Sequence, residues 1–212
     1  MLLAAERRLV ARFARRLVPD GLAVGTGGNL SARLGDLLAV TPRGLAYEDL
    51  VPELVCVVDL KGVVVEGELA PSTELPMHLA AYDTTDALAV VHAHSPFATS
   101  LSAVAAELPA VHYLVAEFGG PVPVAPYATP GTEALARVMA EGFRERRAVI
   151  LQNHGTIVVG DSLERAYDRA ILLEWLCALY ARARMLGDPR VLDRMEIAQV
   201  ANLLGKYRQS PP

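Results

Sequence analysis

Two histidines, one residue apart, stand at the end of an apolar run that reads ALAVVHAH over residues 87–94. In a β-strand, residues i and i+2 project from the same face, so His92 and His94 present two imidazoles side by side. Histidine is the commonest metal ligand in proteins. The pair alone leaves two interpretations open: a metal site, or two hydrogen-bonded polar residues at the end of a strand.

A third histidine repeats this arrangement later in the chain. The segment AVILQNHGTIVVG, residues 148–160, has an apolar strand that ends near His154, and Gly155 turns the chain. Two strands of one sheet that each end in histidine can bring three imidazoles together. Three nitrogen ligands leave one position open, which is the arrangement of a catalytic zinc site.

A carboxylate is expected beside these histidines, and Glu74 is the best candidate. It follows Pro71, Ser72 and Thr73 at a predicted helix start, where a negative charge also stabilises the helix dipole. Taken in isolation, that structural role is the simpler explanation of Glu74. His78 lies four residues later on the same helix face, and we expect it to pack or to support a ligand rather than to bind the metal.

Three loop segments have the composition of a phosphate site: GTGGNLS (25–31), TPRG (41–44) and PST (71–73). Glycines let backbone N–H groups approach a ligand closely and form an anion-binding nest. A helix N-terminus also favours phosphate, and we expect Thr73 to be the N-cap residue of the helix that follows. Together the segments predict a phosphate pocket beside the metal, with Asn29, Arg43, the Gly44 N–H, Ser72 and Thr73 as candidate donors.

The elements that must position these residues are short strands mixed with helices. A helix is expected at the N-terminus, a strand pair over ELVCVVDLKGVVVEG (53–67), and a long helix after Gly160. This mixture predicts an α/β or α+β layered domain rather than a regular βαβ alternation. No Pro-, Ser- or Gly-rich linker divides the chain, so residues 1–212 are expected to form a single domain.

Composition excludes several classes of function. Hydrophobic residues make up 52% of the chain and charged residues 21%, as in a compact globular protein. The net charge of −4 argues against a nucleic-acid partner, and the absence of a run of about 18 apolar residues argues against a membrane span. Cys56 and Cys177 lie far apart with no CxxC pair, which favours free thiols in a cytoplasmic protein.

Seven strings, in the same order along nearly the whole chain, resemble the class II aldolase family. They are GTGGNLSAR, TPRGLAYEDL, PSTELPMHLAAY, AVVHAHSPFATSLS, PAVHYLVAEFGG, VPVAPYATPGT and LQNHGTIVVG. The last 50 residues match only as a helical region. The resemblance implies the family's fold, a three-layer α/β domain whose central, largely antiparallel or mixed sheet is covered by helices.

The resemblance also implies roles for individual residues. One Zn²⁺ per subunit would be held by His92, His94 and His154, and Glu74 would be the catalytic acid/base and a zinc ligand when no substrate is bound. Tyr113 from the neighbouring subunit would act on the aldehyde half of the substrate, in a homotetramer with active sites at the subunit interfaces. Tyr207 is a further candidate counterpart of a C-terminal family tyrosine. The family's phosphate contacts fall on Gly28, Asn29, Arg43, Gly44, Ser72 and Thr73.

The activity implied is that of a lyase: zinc-dependent, reversible aldol cleavage of a ketose 1-phosphate of the L-fuculose 1-phosphate type to dihydroxyacetone phosphate and an aldehyde. One departure is Pro130, where the family pattern carries an aromatic residue that faces the aldehyde pocket. Two alternatives use the same scaffold, 4-epimerisation of a pentulose 5-phosphate and dehydration of methylthioribulose 1-phosphate. The epimerases usually carry Asp at the acid/base position, and non-catalytic adducin-like domains lack the metal histidines.

Overall fold

Nine strands within residues 1–209 form one continuous sheet. The computed structural model describes residues 1–209, with side chains described as far as Lys206. The strands, in chain order, are β1 (Asn29–Leu34), β2 (Leu37–Val40), β3 (Cys56–Asp59), β4 (Val64–Glu66), β5 (Ala89–Ala93), β6 (Glu107–Leu108), β7 (Val122–Ala125), β8 (Ala148–Leu151) and β9 (Gly155–Gly160).

The sheet is mixed but almost wholly antiparallel. Its strand order is β4-β3-β2-β1-β5-β9-β8-β7-β6, and β7–β8 is the parallel pair among these neighbours. The predicted largely antiparallel or mixed sheet is therefore confirmed. The strands β1, β5 and β9 lie side by side at its centre, with the predicted site residues at one end of them.

Helices cover both faces of the sheet. They are α1 (Ala4–Ala14), α2 (Leu75–Thr84), α3 (Pro96–Ser102), α4 (Glu133–Gly142), α5 (Leu163–Leu186) and α6 (Arg194–Gln209). Successive residues of β5 alternate between two buried clusters: Val91 packs with residues of α1, α3 and α5, whereas Val90 packs with residues of α2 and α4. The predicted three-layer α/β architecture is confirmed.

Burial on both faces explains why β5 is apolar throughout rather than alternating. Its polar residue, His92, shares a face with Val90 and so points to the layer of α2 and α4. The antiparallel register of β1 and β5 places Asn29 directly opposite His92, and that of β5 and β9 pairs His92 with Ile157. The register therefore places an amide and an imidazole on adjacent strands beneath the start of α2.

The start of α2 differs from the sequence prediction. Glu74, not Thr73, is the N-cap residue, and no side chain caps the helix there. Instead, the backbone N–H of Glu74 donates to Ser72 Oγ at 3.2 Å. Pro76 then occupies the second helical position, where an N–H is still not required. The consequence is that the Glu74 side chain leaves the chain at the entry to the helix, on the side that faces the sheet.

Two further expectations concern the cysteines and membrane-spanning helices. Cys56 and Cys177 are both buried and free, as predicted. Within residues 1–209, none of the helices combines the length and the apolar character that crossing a bilayer requires.

Candidate metal centre and active site

Four side chains from three parts of the chain converge at the end of β5. Glu74, His92, His94 and His154 each offer one ligand atom, and these atoms all lie within 4.8 Å of one another. The Nε2 atoms of His92 and His94 are 2.9 Å apart. Glu74 places Oε2 3.0 Å from His92 Nε2 and Oε1 3.1 Å from His154 Nε2. His78 is not part of this cluster.

The three histidines come from β5 and from the turn before its neighbour β9. His92 belongs to β5 and His94 follows it, while His154 lies in the turn that joins β8 to β9. Because β9 is the strand that pairs with β5, the turn before it lies beside the end of β5. The three imidazoles are therefore close together, as predicted, because the turn that carries His154 leads into β9, the neighbour of β5.

A backbone carbonyl fixes the tautomer of His92. Its Nδ1 lies 2.8 Å from the carbonyl oxygen of Thr156, and a carbonyl can only accept a hydrogen bond. Nδ1 therefore carries the proton, and Nε2 of the neutral ring presents a lone pair to the cluster. This is the arrangement by which proteins prepare a histidine to bind a metal.

The electrostatics of the cluster suit a bound cation. Burial opposes ionisation of Glu74, but the close imidazoles of His92 and His154 and the hydrogen bond from Asn29 hold the pKa of this carboxyl well below its usual range. Burial, with the neighbouring His92 and His154, lowers the pKa of His94 to about 4. Among the described residues, Glu74 Oε1 has no hydrogen-bond donor. A carboxylate and neutral imidazoles whose lone pairs converge repel one another unless a cation lies between them, so these residues fit a metal ion.

The glycine-rich loop lies directly against the histidines. A Cβ on Gly27 would come within 2.8 Å of His94 Nδ1, and one on Gly28 would come within 2.8 Å of the carbonyl oxygen of His92. Gly28 also has φ +73°, a conformation that favours glycine. Both positions therefore require glycine for the loop to pass over the end of β5.

A cavity of about 370 Å³ opens beside the cluster. Glu74, His94 and His154 line it. The six residues predicted to contact phosphate line the same cavity: Gly28, Asn29, Arg43, Gly44, Ser72 and Thr73. The structure thus brings the metal cluster and all the candidate phosphate residues to one site.

Backbone pairing brings two of the phosphate segments together. The N–H of Arg43 donates to the carbonyl of Ala70 at 2.9 Å, and that of Ser72 donates to the carbonyl of Thr41 at 3.1 Å. An isolated bridge joins Pro42 to Pro71 between them. Arg43 and Thr73 are exposed and Ser72 is buried, so an accessible cation and an accessible hydroxyl both line the cavity.

Tyr47 is a cavity residue that the sequence did not single out. Its hydroxyl donates a short hydrogen bond to the carbonyl of Gly28, and it lines the cavity. Burial, together with the nearby Glu74 charge, raises the pKa of Tyr47 to about 12, so the hydroxyl stays protonated and keeps the glycine loop in place. The only sequence signal was its position within TPRGLAYEDL.

Tyr113 is the predicted site residue that the structure does not bring to the cavity. It begins a 3₁₀ helix (Tyr113–Phe118), is 48% exposed, and stacks on His112 with ring centroids 4.5 Å apart. It is not among the residues that line the cavity. The other predicted tyrosine, Tyr207, lies on α6 beyond the residues whose side chains the structure describes. Pro130 lines the cavity near Thr73.

Comparison with known proteins gives the family. The model of the family described as "Class II Aldolase and Adducin N-terminal domain" matches residues 8–181. A 5-deoxy-D-ribulose 1-phosphate aldolase of Bacillus thuringiensis serovar kurstaki is 40% identical over 212 residues, 99% of this chain and 100% of that protein. The L-fuculose phosphate aldolase of Escherichia coli strain K12 is 40% identical over 190 residues, 88% of each chain.

A solved structure agrees with these sequence relatives. The structure of an L-fuculose 1-phosphate aldolase superposes with a TM-score of 0.93 at 37% identity, covering 97% of this chain and 98% of the other. With its Glu74 and three-histidine cluster, the chain belongs to the class II aldolase family and is a lyase of the metal-dependent aldolase type.

Proposed function

We propose that this chain cleaves a ketose 1-phosphate reversibly into dihydroxyacetone phosphate and an aldehyde, with Zn²⁺ as its cofactor. The observation that carries the proposal is the single cavity in which Glu74 and two of the clustered histidines face the glycine loop, Arg43 and Ser72. A polarising metal, a carboxylate that moves a proton and donors for a phosphate are the parts that such a cleavage needs.

The metal would be held by His92, His94 and His154, with Glu74 as a fourth ligand before substrate binds. Imidazole nitrogens suit zinc among the divalent ions, and three histidines leave a position open for substrate. When bound, the ion would supply Lewis-acid polarisation of the substrate's ketone oxygen.

Glu74 is the residue placed to move the proton at carbon. Breaking the bond between carbons 3 and 4 of the ketose leaves an electron pair on carbon 3, which must be protonated to give dihydroxyacetone phosphate. Glu74 is mostly buried and lines the cavity, so its carboxyl can transfer that proton away from bulk water. As a carboxylate in the resting enzyme, Glu74 would take the proton from carbon 3 in the synthetic direction. In cleavage, the proton that it gives to carbon 3 would be balanced by the one that leaves the hydroxyl of carbon 4.

The phosphate would be bound by the glycine loop, Arg43 and the hydroxyls of Ser72 and Thr73. Arg43 supplies the charge, and the backbone N–H groups of the loop supply further donors. Asn29 keeps an N–H for the phosphate even though its amide also bonds Glu74, because the nitrogen carries two hydrogens. Contacts to the non-reacting phosphate orient the reacting carbons.

Tyr113 would act from a neighbouring subunit, at the oxygen of carbon 4 that becomes the aldehyde. Its exposure and its position outside the cavity of its own chain suit a residue that completes another chain's site. This part of the proposal requires an oligomer, for which we propose a homotetramer. A cytoplasmic location also stays a prediction.

Two ketose 1-phosphates, which release different aldehydes, are proposed as candidate substrates. L-Fuculose 1-phosphate is the type predicted from the sequence, and 5-deoxy-D-ribulose 1-phosphate is named for a relative that matches this chain over its whole length. Pro130 lines the cavity where the resemblance to fuculose-type aldolases implies an aromatic residue, so both candidates belong in the assay. Both aldehydes end in a methyl group, and they differ in one hydroxylated carbon.

The experiment is a cleavage assay on zinc-loaded protein with a panel of four ketose phosphates. L-Fuculose 1-phosphate, 5-deoxy-D-ribulose 1-phosphate, L-rhamnulose 1-phosphate and 5-methylthioribulose 1-phosphate are each tested for release of dihydroxyacetone phosphate by a coupled dehydrogenase. We expect release from the first or the second at the highest kcat/KM. Release from none of the four would contradict the proposal.

Two control measurements separate the alternative reactions. A pentulose 5-phosphate that changes configuration at carbon 4 without releasing a three-carbon product would indicate an epimerase. Loss of water from methylthioribulose 1-phosphate, detected by mass without dihydroxyacetone phosphate, would indicate a dehydratase. We expect neither reaction at a rate comparable with cleavage.

A further inference from the structure

A chain of buried polar side chains runs from the Glu74 carboxylate into the core of the protein. Asn29 Nδ2 lies 2.9 Å from Glu74 Oε2, and Asn29 Oδ1 lies 2.5 Å from His78 Nε2. Ser31 Oγ lies 2.7 Å from His78 Nδ1 and 2.7 Å from the hydroxyl of Tyr82. The four residues behind Glu74 are all buried, and catalysis as proposed above uses only the first of them.

Two regular periodicities build this chain. Glu74, His78 and Tyr82 are spaced four residues apart, so they share the face of α2 that meets the sheet. Asn29 and Ser31 are two residues apart on β1, so they share the face of the sheet that meets α2. The polar side chains on this face of α2 and those on this face of β1 therefore alternate, and each forms a hydrogen bond with a residue of the other element.

The chemistry of the partners fixes the direction of every hydrogen bond. A carboxylate only accepts, so Asn29 presents its nitrogen to Glu74 and its oxygen to His78. That oxygen also only accepts, so His78 carries its proton on Nε2. Nδ1 of His78 then accepts from the Ser31 hydroxyl, which in turn accepts from Tyr82.

Burial keeps the chain in this single state. It lowers the pKa of His78 to about 3, and it raises the pKa of Tyr82. The imidazole is therefore neutral and the phenol protonated at neutral pH. A neutral imidazole with one accepting and one donating partner has one favourable tautomer.

We propose that His78 is a positioning residue of the active site: held as its Nε2–H tautomer by Ser31 and Tyr82, it locks the Asn29 amide so that its N–H faces Glu74. The inference rests on the proposed function of Glu74 as metal ligand and proton carrier. An Asn29 amide that flips would turn its oxygen toward the carboxylate and repel it. His78 thus sets the orientation of Glu74 without touching the metal or the substrate.

The first test reads the tautomer in the wild-type protein. In metal-free protein labelled with ¹⁵N, two-bond proton–nitrogen correlation spectra report which ring nitrogen of each histidine is protonated. We expect His78 at pH 7 to show a protonated Nε2 and a bare Nδ1. A protonated Nδ1, or rapid exchange between tautomers, would overturn the proposal. This measurement needs no substitution, so it decides the question even if a variant fails to fold.

The second test compares two substitutions of the imidazole. The side-chain nitrogen of glutamine in His78→Gln can donate to Asn29 as Nε2 does, whereas His78→Leu fills the space without a donor. Zinc affinity is measured by competition with a chelator, alongside kcat and KM. We expect His78→Leu to weaken zinc binding or to lower kcat about tenfold with KM little changed, and His78→Gln to stay within about twofold of wild type.

A control variant removes a buried hydrogen-bonding group elsewhere in the core, the hydroxyl of Tyr167. Tyr167 donates to Asp20 at 3.0 Å and packs in the cluster on the opposite face of the sheet, so Tyr167→Phe carries a comparable structural loss away from the site. We expect it to leave zinc affinity and kcat unchanged. Equal losses in His78→Leu, His78→Gln and Tyr167→Phe would mean a purely structural role and would overturn the proposal.

The same measurements separate this inference from the proposed function. Wild-type protein that binds no metal and releases no dihydroxyacetone phosphate would refute the proposed function. The tautomer of His78 in that protein would still support or overturn the hydrogen-bond chain. Conversely, an active zinc enzyme in which His78→Leu behaves like wild type would refute only the positioning role.

Discussion

The cavity beside Glu74 and the face that carries Tyr113 are built in opposite ways. The cluster beside the cavity is assembled from β5, the start of α2 and the turn before β9, with Asn29 of β1 behind it, and its buried members Glu74, His92 and Asn29 are hydrogen-bonded to other elements. The Tyr113 face is an exposed aromatic surface in which His112 stacks on Tyr113 and meets Trp175 at 5.1 Å. The first is complete within one chain, and the second contributes nothing to its own chain's cavity.

We infer from this difference that the fold of one chain recognises the phosphate half of the substrate, whereas the assembly of chains recognises the aldehyde half. The register of the sheet fixes the metal and phosphate end. In the proposed oligomer, the aldehyde end would depend on how a second copy of the chain is placed. The expectations that follow test this division of the site, from the largest effect to the smallest.

Removing the Glu74 carboxylate should have the largest effect. In Glu74→Gln the side chain can no longer carry a proton, so we expect kcat for cleavage to fall about 10³-fold, while the three histidines keep the metal. Steady-state kinetics of the purified variant give kcat, and metal analysis gives the amount of metal bound per chain. Glu66→Gln is the matched control, because Glu66 pairs with Arg7 outside the cavity. A variant within tenfold of wild type would remove the proton-transfer role of Glu74.

Tyr113→Phe should lower kcat about 10²-fold, because it deletes the group proposed to take the proton from the hydroxyl of carbon 4 in cleavage and to return it in synthesis. If Tyr113 acts across a subunit interface, mixing this variant with Glu74→Gln should regenerate activity, since some mixed sites contain both intact residues. Random exchange should restore about a quarter of the sites. Subunits shown to have exchanged, yet without recovery, would contradict the shared site, and so would a strictly monomeric mass by light scattering.

Arg43→Ala tests the phosphate end. Loss of a charged hydrogen bond to phosphate is expected to raise KM about tenfold, with a smaller change in kcat, because the phosphate does not react. Arg8→Ala, an exposed arginine on α1 outside the cavity, has the same change in charge. Equal changes of KM in both variants would show that Arg43 acts only through net charge.

The smallest effect concerns stability rather than turnover. The pKa of His78 is lowered to about 3 in the folded protein, whereas an unfolded histidine titrates near 6.5. Between these values the unfolded chain binds more protons, so stability falls as the pH drops below 6.5. Relative to neutral pH, the burial of neutral His78 should lower the free energy of unfolding at pH 5.5 by about 1.4 kcal/mol.

Urea unfolding of the metal-free wild type and of His78→Gln at pH 7.5 and pH 5.5 isolates that contribution. The wild type is expected to lose more stability than the variant on acidification, by about the stated amount. An equal loss in the two proteins would show that His78 is not buried in its neutral form.

The metal cluster could be predicted because local patterns determine most of it. The two-residue spacing of His92 and His94 at the end of an apolar strand already requires a shared face. His154 repeats the pattern on a second apolar strand. Glu74 depended on its neighbours at a helix start, and although the cap residue was predicted wrongly as Thr73, the error moved the helix start by only one residue.

The partners behind the ligands could not be predicted, because they depend on contacts between residues far apart in the chain. Tyr47 bonds Gly28, 19 residues away, and His78 meets Asn29 across 49 residues. No local period encodes these pairings, since they follow from the register of β1 against β5 and from the way α2 packs on the sheet. The proposed action of Tyr113 in a second subunit would depend on contacts between chains, which no pattern in a single chain encodes.

The central claim is that the Glu74 and histidine cluster holds a metal that the cleavage requires. The most direct measurement is a titration of metal-depleted protein with Zn²⁺, following release of dihydroxyacetone phosphate from the substrate selected by the panel. We predict no turnover without metal and a linear rise that saturates at one equivalent of Zn²⁺ per chain. Full turnover in the presence of an excess of chelator would contradict the account.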